Sequence, residues 1–291
     1  MNFVLSLDDK QFDTLLDYYK NVLSKSNNPY QIGLVKKEGL TIQFYKSKKV
    51  MFQGKEALEH YEYWMHRLDI TKNDKDFYLT SIGSDESGVG DYFGPLTVCA
   101  AYVDQSSVDK LKGLNIKDSK SLSDDTIVKI AEKLVTFIPY SLLVLPNKKY
   151  NEQFDKGLNA HSLKAHLHAQ THKKLQEKIQ HAVPIVIDQF CSETLYKNYL
   201  KASNFKIYPS IFETKAEDKF ASVAIASIIA RYAYIKAMDK LSEKLGVTLL
   251  KGASKHVDEQ ALYLVKKHGE SILDTIAKKH FITTKKVLNN L

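Results

Sequence analysis

Two adjacent carboxylates stand directly before a cluster of glycines, just after an apolar run that is typical of a core strand. The apolar run covers residues 77–82, the acids are Asp85 and Glu86, and Gly88 and Gly90 follow them. Carboxylate oxygens suit a divalent cation, and glycines leave room for a phosphate chain to approach the backbone closely. Taken alone, the segment is compatible with a turn, a helix cap or a metal site.

The composition is that of a globular protein with a basic surface. The 291 residues suffice for one good-sized domain or two smaller ones, each with an ample core. The formal net charge of +8 favours a polyanionic partner, although solvated lysines alone would produce the same value.

Several features predict a cytoplasmic location and no contact with a membrane. The first ten residues hold only a short apolar run before Asp8 and Asp9, which argues against a signal peptide. No stretch is expected to approach the roughly 18 apolar residues of a membrane span. Cys99 and Cys191 form no CxxC motif or zinc spacing, which is typical of a reducing compartment.

Residues 1–70 are expected to form a small α+β domain of their own. The hydrophobic periodicity predicts a strand, a helix, three strands and a second helix, in that order. Apolar and polar residues alternate over residues 40–45, so one face should meet the helices while the other has no local cover. The polar residues 71–76 are interpreted as a linker to a larger domain over residues 77–291.

Lysines are concentrated on the predicted hairpin of this small domain. Six of them lie within residues 36–55, where Glu38 is the sole acidic residue. One interpretation is a solvated edge that lysines protect against aggregation. The other is an open sheet with a lysine border, which would bind a nucleic-acid backbone through Lys46, Lys48 and Lys49.

From residue 77 onward, strands are followed by helices, which predicts an α/β domain. The hydrophobic pattern places strands at residues 77–84, 96–103, 140–145, 183–188 and 205–212, and helices at residues 124–137, 159–181 and 218–241. Residues 220–230 are apolar on nearly every side, so the first half of the last helix should be buried.

Two further acidic residues stand where packing alone gives no reason for a charge. Asp188 ends the apolar run of residues 184–187, and ligand sites in α/β sheets gather at the carboxyl ends of strands. The alternative for Asp188 is an aspartate that starts a turn. Glu217 comes just before the apolar helix, where the alternative is a helix N-cap or a first-turn acid that the helix dipole stabilises, and Asp218 fits that alternative equally well.

Four carboxylates that converge at this edge could hold two magnesium ions about 4 Å apart. One ion would activate a water molecule, and the other would stabilise the leaving oxygen of a phosphodiester. Because side chains alternate along a regular strand, Asp85 and Glu86 must either break the pleat or reach the metals from different directions.

Five segments of the chain, taken in order, resemble the type 2 ribonucleases H, and ribonuclease HIII in particular. They are residues 83–96, Asp118-Ser119-Lys120, Val186-Ile187-Asp188, Lys215-Ala216-Glu217 and residues 226–231. The resemblance covers residues 77 to about 270. It implies an RNase H-like catalytic domain, a mixed sheet flanked by helices, preceded by a substrate-binding domain similar to half of the TATA-binding protein.

The same resemblance implies an activity and the residues that carry it. The family hydrolyses the RNA strand of RNA/DNA hybrids with Mg²⁺ or Mn²⁺, and leaves 5′-phosphate and 3′-hydroxyl ends. Its catalytic and metal-binding acids correspond to Asp85, Glu86, Asp188 and Glu217.

Substrate contacts are implied as well. In the family, the backbone at Gly88, Val89 and Gly90 lies against the RNA strand, whose 2′-hydroxyls distinguish it from DNA. Lys120 and Lys215 resemble lysines that contact phosphates in the family, although a solvated surface charge is the usual role of a single lysine.

Five histidines fall within residues 161–181, and His168 and His172 have the i, i+4 spacing of some zinc sites. No third ligand accompanies them, so a transition-metal site is the less favoured interpretation. We expect instead a helix near the hybrid that contributes Lys164, with a histidine, to phosphate binding.

Ribonuclease HII, which also cuts at single ribonucleotides embedded in DNA, is the first alternative. It generally lacks the N-terminal domain, has arginine at the position of Val89 and aspartate at that of Glu217, and carries a tyrosine near residues 251–255, where none occurs here. These four differences favour ribonuclease HIII. The second alternative is a non-catalytic nucleic-acid-binding protein, which would lack one of the acids. We expect a monomer with no obligatory protein partner.

Overall fold

The computed structural model describes residues 2–68, 77–114, 116 and 122–291. The chain divides into two compact units, Met1–Asp74 and Lys75–Leu291. The linker expected over residues 71–76, and the motif that contains Lys120, lie outside the described residues.

The N-terminal unit is a four-stranded antiparallel sheet whose core face packs against two helices. Its elements are β1 (Asn2–Ser6), α1 (Asp9–Tyr19), β2 (Gln31–Lys37), β3 (Leu40–Tyr45), β4 (Lys49–Gly54) and α2 (Ala57–Arg67). The strands lie in the order β1-β4-β3-β2. The predicted order of strand, helix, three strands and helix is confirmed.

Alternation along β3 decides which face of this sheet is buried. Leu40, Ile42 and Phe44 are buried in one cluster with Phe12 of α1 and Trp64 of α2. The polar residues between them point to the other face and are only half-buried. The predicted division of β3 into a core face and an open face is therefore confirmed.

The larger unit is built on a five-stranded mixed sheet. Its strands are β5 (Ser81–Ser87), β6 (Leu96–Val103), β7 (Tyr140–Leu145), β8 (Ile185–Asp188) and β9 (Ile211–Glu213). They lie in the order β7-β6-β5-β8-β9, with β5 antiparallel to β6 and parallel to β8. The remaining pairs are β6–β7, antiparallel, and β8–β9, parallel.

Helices follow most of these strands, as expected for an α/β domain. They are α3 (Val108–Leu111), α4 (Asp124–Leu134), α5 (Asn147–Asp155), α6 (Ala160–Ile179), α7 (Glu193–Tyr199), α8 (Ala221–Leu245), α9 (Lys255–His268), α10 (Leu273–Ile276) and α11 (Ile282–Leu288). The predicted fold class, a mixed sheet flanked by helices, is confirmed.

Some strand bounds differ from the prediction for identifiable reasons. β6 and β7 begin and end at the predicted residues, because each is an apolar run bounded by polar or turn residues. β5 starts later than predicted and continues through the acidic pair, since Ser81–Ser87 pairs with β6 at every residue. The strand predicted over 205–212 is reduced to Ile211–Glu213, and Pro209, which has no N–H to donate, precedes it.

Helix α8 is the central helix of the larger unit. It begins at Ala221 rather than at 218, because Ala216–Asp218 forms a separate 3₁₀ helix. The predicted burial of its first half is confirmed. In the described part of the chain, α8 is the one helix long and apolar enough to cross a membrane, so the expectation of no such stretch is wrong. Yet 67% of its apolar 18-residue stretch is buried inside the protein, as in a core helix.

Candidate active site

Strand β5 carries Asp85 and Glu86 without interruption. The two residues pair with Cys99 and Val98 of β6 in one continuous antiparallel register. Successive side chains of a regular strand point to opposite faces of the sheet. The two carboxylates therefore lie on opposite faces, and the pleat is not broken at the pair.

Asp85 lies on the face of the sheet that α8 covers. Ser227 of that helix is close enough to Asp85 to act on the pKa of its carboxyl, in the direction that lowers it. Two residues earlier, Gly83 faces the same helix so closely that a Cβ atom would lie 2.3 Å from the backbone nitrogen of Val223. The missing side chain at Gly83 thus allows α8 to pack directly against the strand that carries Asp85.

Asp188 lies beside Asp85 on the neighbouring parallel strand. The register pairs Ser84 of β5 with Ile187 of β8, so the two aspartates follow at the same level and on the same face. The negative charge of Asp188 is close enough to contribute to the raised pKa of Asp85.

Glu217 is held next to Asp188 by the 3₁₀ helix that precedes α8. The backbone N–H of Ala216 donates to Oδ1 of Asp188 at 3.0 Å. Glu217 is buried, with 3% of its surface exposed, whereas Asp218 is exposed. Glu217, the acid that sequence reasoning chose for the site, is therefore the one that the fold directs into the interior.

The electrostatics of this acidic group suit a divalent cation. Burial, and then the negative charge of Glu86, raise the pKa of Asp85 to about 8. A cation beside such a carboxyl would replace its proton and stabilise the ionised form. Asp85, Asp188 and Glu217 offer the hard oxygen donors that Mg²⁺ and Mn²⁺ prefer, so the donor set fits these ions.

The carboxylates of Asp85, Asp188 and Glu217 lie near one another but do not surround a common point. Among the residues that the structure describes, no three acidic, histidine or cysteine side chains stand close enough together to hold a metal ion as they are. Binding of an ion would therefore require the side chains of Asp85, Asp188 and Glu217 to draw together.

Glu86 is held on the opposite face by helix α6. Its Oε1 accepts from Nζ of Lys164 at 2.8 Å, and its Oε2 contacts Nε2 of His168 at 2.9 Å. Burial alone would raise the pKa of Glu86, but the hydrogen bond and charge of His168 and the Lys164 ammonium outweigh it and lower the pKa to about 2. Glu86 would have to give up these partners before its carboxylate bound a metal ion.

The two histidines with i, i+4 spacing share Ser84 rather than a metal. Nδ1 of His168 lies 2.8 Å from the Ser84 hydroxyl, and Nε2 of His172 lies 2.7 Å from it. A hydroxyl has one proton to donate, so at least one imidazole donates to Ser84. Burial, and then His168, lower the pKa of His172 well below its ordinary value. The cluster is a buried polar network behind Glu86.

Lys164, expected to contact a phosphate, lies in the interior. Only 8% of its side chain is exposed, and its ammonium group lies 4.0 Å from the ring centroid of Phe190 and bonds Glu86. A surface contact with a phosphate would require this lysine to leave its carboxylate, so the structure gives it the role of holding Glu86.

The segment after β5, residues 88–95, is called the glycine loop below. Gly88 has a φ of +87°, and a Cβ atom there would lie 2.5 Å from the carbonyl oxygen of Pro95. Gly90 is exposed, and nothing would lie within 4 Å of a Cβ atom added there. Val89 between them is partly buried against Leu96 and neighbouring residues. Gly88 thus sets the turn, and Gly90 leaves an open approach to the backbone.

The remaining predicted lysines that the structure describes lie on the surface. Lys215 is exposed and has a left-handed backbone, with a φ of 54°. In the N-terminal unit, Lys46 and Lys49 are exposed, and Lys48 pairs with Asp9.

A row of glutamines on the open face of the N-terminal sheet was missed by sequence reasoning. Gln31 donates to Gln43 at 2.6 Å, and Gln43 donates to Gln53 at 3.3 Å. The Tyr45 hydroxyl also donates to Gln43, at 3.0 Å. The alternation of β3 predicted that Gln43 and Tyr45 share this face, but the pairing with the other strands is visible only in the fold.

Two family models match the chain. One, described as ribonuclease HII, covers residues 82–284, and the other, described as a domain of unknown function (DUF3378), covers residues 2–76. Among curated relatives, ribonuclease HIII of Staphylococcus aureus (strain MW2) is 42% identical, over 96% of this chain and 95% of its own. Ribonuclease HIII of Bacillus subtilis (strain 168) is 41% identical, over 97% and 96%.

Solved structures agree with these matches. Bst-RNase HIII in complex with Mn²⁺ superposes with a TM-score of 0.73 at 37% identity, and covers 100% of this chain and 99% of that one. Ribonuclease H2 from Pyrococcus horikoshii OT3 shares the fold, with a TM-score of 0.59 at 24% identity over 73% of this chain and 98% of that one. This chain therefore belongs to the type 2 ribonuclease H family, in its ribonuclease HIII branch.

Proposed function

We propose that this chain is an endonuclease that hydrolyses the RNA strand of RNA/DNA hybrids, with Asp85, Glu86, Asp188 and Glu217 as its catalytic acids. The observation that supports these residues most strongly is the placement of Asp85 and Asp188 at one level of two adjacent parallel strands, on the same face. Membership of the ribonuclease HIII branch supports the choice of substrate.

Hydrolysis joins a water oxygen to phosphorus and breaks the bond from phosphorus to the 3′-oxygen, which leaves 5′-phosphate and 3′-hydroxyl ends. A divalent ion bound at this site would supply a Lewis acid for both oxygens. Asp85, Asp188 and Glu217 would hold the ion from the α8 face. The Ala216 N–H fixes the orientation of the Asp188 carboxylate for this task.

Glu86 contributes from the opposite face of β5. Its negative charge helps to keep Asp85 protonated until a cation arrives, and Lys164 and His168 keep Glu86 ionised. Glu86 would thereby make loss of the Asp85 proton depend more strongly on a bound cation.

Recognition of the RNA strand is assigned to the glycine loop and the exposed lysines. The open backbone at Gly90 admits a nucleic-acid strand to within hydrogen-bond distance, where 2′-hydroxyls separate RNA from DNA. Lys215 would contact a phosphate near Glu217. Lys46 and Lys49 would contact phosphates from the open sheet of the N-terminal unit.

The cofactor is proposed to be either Mg²⁺ or Mn²⁺, since an all-carboxylate donor set accepts both ions. The relative Bst-RNase HIII has been solved with Mn²⁺. We also propose a monomer that acts in the cytoplasm, because one chain supplies all four acids and Cys99 and Cys191 are both free thiols.

The direct test uses a long RNA/DNA hybrid labelled on either strand. The wild-type protein should cut the labelled RNA in the presence of Mg²⁺ or Mn²⁺, leave the labelled DNA intact, and lose activity in EDTA. RNA fragments should carry 5′-phosphates, which a 5′-phosphate-dependent exonuclease detects. Cleavage of the DNA strand, or cleavage that persists in EDTA, would reject the proposed activity.

A further inference from the structure

A lysine far from the acidic pair in sequence is buried beneath the glycine loop. Lys278 has no exposed surface, although its side chain carries an ammonium group. Nζ donates to the carbonyl oxygen of Asp91 at 2.9 Å and to that of Gly94 at 2.6 Å. Both acceptors belong to the glycine loop, residues 88–95. The lysine thus binds two inward-pointing carbonyls of one turn.

The backbone around Lys278 strengthens the same connection. Its N–H donates to the carbonyl of Tyr92 at 2.9 Å, and the Gly94 N–H donates to the carbonyl of Ile276 at 2.9 Å. These bonds form a short antiparallel bridge between Phe93 and Ala277. The segment 276–278 therefore supports the loop from below along most of its second half.

Hydrophobic packing does not explain a lysine here. Burial lowers the pKa of Lys278 to about 7, with the Asp91 charge acting in the opposite direction. An unbranched apolar side chain would fill the same space without the cost of removing an ammonium group from water. What such a side chain lacks is the pair of N–H donors that Asp91 and Gly94 use.

We infer that Lys278 is a positioning residue for RNA recognition, one that holds the glycine loop in the shape that receives the RNA strand. The inference rests on the proposed function of that loop. Gly90, the open position, lies one residue before Asp91, whose carbonyl Lys278 binds. Loss of the ammonium group would release the second half of the loop while leaving Asp85 and Asp188 in their strands.

The test compares Lys278→Met, which keeps an unbranched side chain one atom shorter and removes its donors, with Thr283→Val. Thr283 is buried in the same C-terminal segment, and its hydroxyl donates to Asp258 at 2.6 Å rather than to a carbonyl of the loop. Both variants lose buried hydrogen bonds, so both should melt at a lower temperature than wild type. Only Lys278→Met should raise KM for a long hybrid, by about tenfold or more, with a smaller change in kcat.

Hydrogen exchange measured by mass spectrometry provides a readout that does not depend on cleavage. Amides of residues 88–95 should exchange faster in Lys278→Met than in wild type, and Thr283→Val should leave them unchanged. A folded Lys278→Met protein with wild-type KM and wild-type protection of the loop would overturn the inference. Failure of the wild-type protein to cut the hybrid would instead reject the proposed function, while the exchange measurement still decides the role of Lys278.

A second variant covers the case in which Lys278→Met does not fold. Asn147 donates to the same Gly94 carbonyl at 2.8 Å. Asn147→Ala should therefore raise KM and loop exchange in the same direction as Lys278→Met, by a smaller factor. Unchanged KM and unchanged exchange in Asn147→Ala would also count against the inference.

Discussion

Oε2 of Glu86 lies 2.9 Å from Nε2 of His168, on the face of β5 opposite to Asp85. His168 is fully buried, and 16% of the Glu86 side chain is exposed. An ionised carboxylate in such surroundings needs its partners, because burial without them is costly. The stability of the fold and the charge state of the candidate site therefore depend on the same contact.

Replacement of His168 by leucine should destabilise the protein. The Glu86 carboxylate keeps its bond to Lys164 but loses the one to His168, and a hydrogen bond to a charged group typically contributes about 1.5–3 kcal/mol. Chemical denaturation measures the loss. As a control, Lys197→Ala breaks an exposed pair with Glu193 and should cost no more than about 0.5 kcal/mol. Equal, small losses in the two variants would show that the Glu86 network does not stabilise the fold.

This contact also marks the limit of the sequence analysis. Spacing of His168 and His172 predicted a shared helix face, and the structure confirms that both face Ser84. Their partners on β5 lie more than 80 residues away in sequence, so no local pattern indicates them. The hydrophobic pattern predicts strands and helices because it records burial, but it does not record which polar groups meet in the interior.

The bounds of the strands show the same contrast between what the hydrophobic pattern predicts and what only pairing with distant residues decides. β6 and β7 were predicted to the residue because apolar runs define them. β5 was misplaced because its carboxyl half is polar, and the strand continues there only through its pairing with β6. The face on which each acid lies followed from this pairing. Sequence reasoning offered two arrangements for Asp85 and Glu86 and could not choose between them.

Metal affinity should depend on pH through Asp85. Its pKa is raised to about 8, so below that pH an ion must displace a proton. Affinity for Mn²⁺ should then fall by up to about tenfold for each pH unit below 8 and level off above it. Calorimetric titrations at pH 6 to 9, in buffers of different ionisation enthalpy, measure both the affinity and the protons released. An affinity that does not change over this range would contradict the assignment of Asp85.

The same pKa shift predicts how the metal-free fold responds to pH. Because the pKa of Asp85 is raised by folding, its contribution to stability is fully present below its ordinary value of 3.8 and is lost as the pH rises through about 8. Asp85→Asn should remove this dependence, whereas Asp218→Asn, which changes an exposed acid, should retain it. Melting temperatures at pH 6 and pH 9 in EDTA compare the three proteins.

Lysines of the N-terminal sheet should contribute to hybrid binding through phosphate contacts. The double change Lys46→Gln and Lys49→Gln should weaken binding and reduce the slope of log affinity against log salt by about 1 to 2. The control carries Lys10→Gln and Lys20→Gln, which remove two charges from the helical side. Identical salt slopes in both double variants would assign the hairpin lysines to protection of the sheet edge alone.

Long hybrids should be cut much faster than DNA that contains a single ribonucleotide. Val89 stands between the glycines where ribonuclease HII has arginine, and residues 251–255 contain no tyrosine. The sequence therefore lacks two features of the enzyme that cuts at single ribonucleotides. Initial rates on the two substrates at equal concentration provide the comparison, with an all-DNA duplex as the uncut control. Equal rates on the two substrates would contradict this prediction and would show the activity expected of ribonuclease HII.

Asp188→Asn tests the central claim most directly. Asp188 on β8 lies level with Asp85 on β5, and the Ala216 N–H orients its carboxylate. Wild type, Asp188→Asn and the surface control Asp218→Asn are incubated with an RNA-labelled hybrid and Mg²⁺ or Mn²⁺. Loss of one charged metal ligand should lower the cleavage rate of Asp188→Asn by at least about a hundredfold, while Asp218→Asn cuts at the wild-type rate. If Asp188→Asn cut the RNA as fast as wild type, the acidic site described above would not be the catalytic centre.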